Sequence, residues 1–198
     1  MRLMDCRKIA VIGWLAICAA GVMLAQTNPT DTSPQLPVSY IATAFGQAGP
    51  LAGKSFGVTV YVTGWTSDAV VQELAATLKS KGPDGLLKAM YDMKDVGRVA
   101  PADSVGSGFR VAQIHPDGKG GYHIVMVTDR PISVPEASYA GRSMQYPFGI
   151  VTLNVDKDGK GSGILAPVCK IKFNKKNELE IEHYGQKPFR LANVQLNK

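Results

Sequence analysis

The stretch from Cys169 to Tyr184 constrains the fold more than any other part of the chain. It reads Cys-Lys-Ile-Lys-Phe-Asn-Lys-Lys-Asn-Glu-Leu-Glu-Ile-Glu-His-Tyr, two arms in which polar and apolar residues alternate. A period of two is the mark of a strand with one wet face and one dry face. Asn174 to Asn177 supplies turn chemistry between the arms. The pattern also selects a register. A three-residue loop, Lys175 to Asn177, sets Lys172 opposite Glu180 and Lys170 opposite Glu182 on the wet face. It sets Phe173 opposite Leu179 and Ile171 opposite Ile181 on the dry face. A two-residue loop would place lysines against leucine and isoleucine, which is worse on both faces. Asn177 then takes the left-handed position, which asparagine tolerates. The dry face ends with Cys169 opposite His183.

The opposite end of the chain reads as a targeting segment. Arg2, Arg7 and Lys8 form a basic start, and Ile9 to Ala25 follows without a charge. This is the pattern of a signal peptide over residues 1–25, with cleavage after Ala25 leaving Gln26 first, or alternatively after Gly21. The uncharged run of 17 residues is short for a spanning helix of about 20. Membrane contact is expected only through this segment, if it stays uncleaved. Leu15-Ala16-Ile17-Cys18 resembles a bacterial lipobox, but Ile17 is too large for the small residue required there. The chain is therefore expected to be exported, to a periplasm or beyond.

Charge and cysteine count narrow the function classes. The net charge is +6 over 198 residues. Removing residues 1–25 takes away three basic side chains and one acidic one, leaving +4. No run of five or six bases occurs, so nucleic acid is not an expected partner. Cys6 and Cys18 leave with the signal, so the mature chain keeps Cys169 alone and can form no internal disulfide. In an oxidising compartment a lone cysteine is a buried thiol, an intermolecular bridge or a reactive group.

Residues 26–50 begin rich in Thr, Asn, Ser and Pro and read as a flexible leader before a single domain over 51–198. Ser55 to Thr63 is a strand, with Phe56, Val58, Val60 and Val62 on one face. Two short helices should follow. The first, capped by Thr66 or Ser67, carries Val70, Val71, Leu74, Ala75 and Leu78 on one face and ends at Gly82. The second opens at Pro83, with Leu86, Leu87 and Met90 inward, and closes between Gly97 and Pro101. From Gly106 onward the pattern is β throughout, with an Asp158-Gly159 hairpin turn. No repeated βαβ unit appears, so a parallel doubly wound sheet is not expected. The fold class expected is α+β. A curved antiparallel sheet or partial β-barrel of about seven strands would carry a two-helix insert after its first strand, with a β-sandwich bearing helices as the alternative.

Candidate chemistry is sparse. Cys169 and His183 could act as nucleophile and base in a thiol-dependent enzyme or hydrolase. A buried cysteine more often behaves as a small hydrophobe. His115 and His123 flank one turn and could form a metal site with His183, with Cys169 or Asp129 as a further ligand, although the spacing matches no zinc motif. Asn154 to Gly159 matches half a calcium loop, but the twelfth place is Leu165 where a glutamate is needed. Arg110, Asp129, Arg130 and Arg142 read as a structural ion cluster rather than an anion site. No cofactor motif is found. The reading these features favour is a non-enzymatic domain of a bacterial envelope that binds a small apolar ligand or a partner protein. The alternatives are the thiol enzyme and a purely structural envelope protein.

Overall fold

The computed structural model describes residues 34–102, 104–134, 145–174, 177–183 and 187–197. The expected signal, the first part of the expected leader and Arg142 lie outside the described residues. The strands are β1 (Val38–Phe45), β2 (Ser55–Val62), β3 (Gly97–Pro101), β4 (Ser107–Phe109), β5 (Val111–Pro116), β6 (Tyr122–Thr128), β7 (Phe148–Val155), β8 (Gly161–Phe173), β9 (Leu179–His183) and β10 (Phe189–Leu196). One helical element, α1 (Asp68–Tyr91), follows β2.

The ten strands form one sheet in the order β4-β3-β2-β1-β10-β8-β7-β6-β5, with β9 also on β8. Every pairing is antiparallel. The two ends of that order, β4 and β5, are successive pieces of chain separated only by Arg110. The Arg110 N–H donates to the Val127 carbonyl at 2.9 Å, while Val96 N–H donates to the Phe109 carbonyl at 2.8 Å. One bent strand thus serves both edges, and the sheet curls into a nearly closed barrel. β10, the last of the described strands, lies between β1, the first of them, and β8.

The ten strands among the described residues correct the expected seven. Three short or weakly patterned strands account for the difference. β1 falls inside the expected leader. Its inward positions are Val38, Tyr40, Ala42 and Ala44, all buried, and two alanines give too little amplitude for the alternation to stand out. β3 runs from Gly97 to Pro101, residues that read as the close of the helical insert. Gly97 is instead required by contact, since a Cβ there would lie 2.3 Å from the Tyr61 carbonyl oxygen of β2. β4 is too short to show a period.

The two-helix insert is likewise corrected to one helical element broken at Gly82. Gly82 takes φ 69 and ψ −169, a left-handed conformation that glycine adopts without steric cost, and Pro83 resumes the helix. The expected break is therefore present, without a connecting loop. Ser67 is the N-cap but makes no side-chain cap bond. Thr66 is committed elsewhere, its Oγ1 accepting from Ala112 N–H at 3.0 Å and its own N–H donating to the Ala112 carbonyl at 2.7 Å.

Two cores result. The barrel interior is filled by side chains, among them Tyr40, Val60, Phe109, Met126, Leu165 and Phe189, each at most 1% exposed. Phe56 closes against Phe189 edge-on at 5.2 Å. The second core lies outside the barrel. There Val71, Leu74, Leu78, Leu86 and Met90 of α1 cover Val111, Phe148, Ile150, Ala166, Cys169 and Ile171. A bulge delivers β8 to it. Ile150 pairs with Ala166 but Phe148 with Cys169, so β8 gains a residue on β7 near Pro167. Cys169 and Ile171 thereby turn outward beneath the helix.

Candidate functional site

The hairpin of β8 and β9 adopts the register that its alternation dictates. Cys169 pairs with His183, Lys170 with Glu182, Ile171 with Ile181, Lys172 with Glu180 and Phe173 with Leu179. Asn177 has φ 59, the left-handed position that the loop length requires. Asn174 N–H donates to the Glu178 carbonyl at 2.9 Å and closes the turn.

Cys169 and His183 are thus neighbours in the ladder, but their surroundings do not suit thiolate chemistry. Cys169 is fully buried, and its Sγ–H donates to the Phe148 carbonyl at 3.4 Å. Burial pushes the thiol up to about 12. His183 is half-buried, and burial holds its imidazole below the ordinary value. A neutral imidazole beside a protonated thiol offers neither a charge to stabilise a thiolate nor an open path for substrate.

His115 and His123 are directly opposite each other on β5 and β6. They continue a row across the outer face, because His123 pairs with Asn154 and Asn154 with Ser162. His123 Nδ1 lies 2.6 Å from Asn154 Oδ1. Neither Cys169, Asp129 nor His183 joins this pair, and among the described residues no group of three His, Cys, Asp or Glu side chains could hold a metal ion. The half calcium loop is a hairpin turn. Asp156 Oδ1 accepts the N–H groups of Asp158 and Lys160, both at 2.9 Å, and Gly159 has φ 75.

Arg110 and Asp129 meet at the barrel seam. Arg110 Nε lies 3.1 Å from Asp129 Oδ2, and its Nη1 lies 3.1 Å from Asp95 Oδ1. Nη1 also donates to the Met93 carbonyl. Asp129, 2% exposed at its side chain, holds Arg130 Nε at 3.2 Å as well. The carboxylate is saturated by the two guanidinium groups, so the cluster fastens the seam and leaves little capacity for an anion.

Two concave regions stand out. A broad depression of about 540 Å³ lies over Phe45, Gln47, Arg190 and Ala192. It is the larger, but it opens widely at the surface and only four residues define it. The second is a groove of about 310 Å³ lined by Val70, Glu73, Leu74, Thr77, Ala89 and Met93. Val70 lies near the start of α1 and Met93 just beyond its last residue, yet both line this groove, so the arm after Gly82 folds back along the arm before it. Sequence periodicity located the inward stripe of each arm but could not show that they leave a cleft between them.

No protein-family model, curated protein or solved structure matches the chain.

Proposed function

We propose that this chain is an exported, non-catalytic binding domain that takes the apolar part of a small ligand in the groove between the two arms of α1. The observation carrying this reading is the groove itself, about 310 Å³ with Val70, Leu74, Ala89 and Met93 as apolar walls and Glu73 and Thr77 as polar points. Its size falls at the lower end of the range of about 300–1,000 Å³ typical of ligand sites. The filled barrel interior leaves the binding role to the outside of the sheet. The sealed thiol weighs against the enzyme reading, and the basic start with its uncharged run supports export.

Native mass spectrometry of the protein purified from its own source tests the reading. A mass increment is expected on the wild type, and Ala89→Trp should remove it by filling the groove from an exposed helix position. An increment that persists in Ala89→Trp would place the ligand elsewhere. Bare protein in both forms would favour a structural role.

A further inference from the structure

We infer that His115 and His123 form a two-imidazole site for a divalent transition metal on the outer face of the barrel, with Cu²⁺ the ion it would hold most tightly. Three observations support it. The two side chains project from directly opposed positions of an antiparallel ladder. Directly opposite Cβ atoms lie about 4.5–5.5 Å apart, close enough for one ion to reach both rings. Both residues are half-buried and lie on the face that α1 leaves uncovered at this end. Gln113, two residues before His115, already bonds Asp68 at the start of α1, at 3.0 Å.

The third observation concerns the tautomer. Asn154 Oδ1 can only accept, so at 2.6 Å it receives the proton of His123 Nδ1. The lone pair of that ring then resides on Nε2. Metal-bound histidines usually have this arrangement, the far nitrogen donating to an oxygen that fixes the ring and raises its basicity. Asn154 is thus a positioning residue. It is held in line with His123 by the β6–β7 ladder. The two rings project from opposed positions on one face of the ladder, so one ion would lodge between them. Two imidazoles with water in the remaining positions suit the borderline ions. Among these Cu²⁺ binds such nitrogen sites most strongly, ahead of Ni²⁺ and Zn²⁺. Among the described residues no third histidine or acid completes the set, which makes this an exchangeable site rather than a structural one.

The test is titration of the purified protein with Cu²⁺ at pH 7.5, followed by calorimetry and electron paramagnetic resonance. One ion per chain is expected, with two imidazole nitrogens in the spectrum. The chain has three histidines, so single variants identify the pair. His115→Gln and His123→Gln should each weaken binding by about 100-fold or more and leave one imidazole, whereas His183→Gln should change nothing. Asn154→Ala should weaken binding by about 10-fold while both nitrogens remain, the usual size of an outer-shell effect. Thermal unfolding of each metal-free variant confirms the fold. Should any variant fail to fold, the wild-type spectrum decides, because fewer than two imidazoles would itself overturn the assignment. Equal affinity in wild type and either single-histidine variant would also overturn it.

Discussion

The Lys172 ammonium bonds Glu182 at 2.7 Å, on the diagonal, while Glu180, directly across the ladder, is 4.0 Å away. Tyr146 explains the choice, since its hydroxyl donates to Glu182 at 2.6 Å and fixes that carboxylate in place. A double-mutant cycle on Lys172 and Glu182 should give about 0.5 kcal/mol, and the cycle on Lys172 and Glu180 close to zero, as expected of exposed pairs. Urea unfolding measures both. Equal coupling in the two cycles would show that Tyr146 does not bias the pair.

The same contact carries a pH dependence. The hydrogen bond from Lys172, and then that from Tyr146, hold the Glu182 carboxyl below the ordinary carboxylate range. Its contribution to stability is therefore complete above the unfolded value of about 4.3 and is lost as pH falls through the lower folded value. Coupling measured at pH 7 should fade in acid, and Tyr146→Phe should move the fading to higher pH.

Cys169 makes the opposite prediction at the alkaline end. Its folded value of about 12 exceeds the unfolded value of about 8.5. The thiol's contribution is fully present below about 8.5 and is lost as pH rises from there toward the folded value. Cys169→Ala should flatten the stability profile over that interval. Thiol reagents should label the native protein slowly and the denatured protein at once. Fast native labelling would revive the thiol enzyme.

Ile171 and Ile181 test the dry face. Ile171 is 7% exposed and Ile181 only partly buried. Ile171→Asp buries an unpaired carboxylate and should cost at least about 3 kcal/mol, with Ile181→Asp on the order of 2 kcal/mol. Chemical denaturation reads both. A stable Ile171→Asp protein would mean that α1 does not cover this face.

The seam should be equally sensitive. Arg110→Ala leaves Asp129 buried with Arg130 as its remaining ion partner, and should destabilise by about 3 kcal/mol. Adding Asp129→Ala should restore part of the loss, because the uncompensated charge is then gone. Thermal unfolding of the two variants decides.

The hairpin register was legible because opposite charges and branched apolar residues alternate there in phase, so that a slip of one residue fails on both faces. The strand of Val58, Val60 and Val62 and the break at Gly82-Pro83 were legible for similar reasons. β1, β3 and β4 were not, since alanines, a contact glycine and shortness weaken a periodic signal that tertiary packing then overrides. The proximity of His115 and His123 could be suspected from the turn between them. The orienting Asn154 could not, as it lies on another hairpin and only the β6–β7 pairing brings it alongside. Nor could the sequence show that the dry face of the hairpin meets the helix rather than the barrel interior. That depends on the single extra residue of the β8 bulge.

The place of β10 between β1 and β8 bears on how such a chain comes into being. Synthesis runs from one end, so the other described strands exist before the one that joins β1 to β8. Until β10 arrives, the cylinder is slit lengthwise and two raw edges face water, each a template for aggregation. The pairing that mends the slit spans almost the whole domain, the kind of distant contact that slows folding. Vectorial synthesis therefore leaves the barrel open until β10 is free to pair.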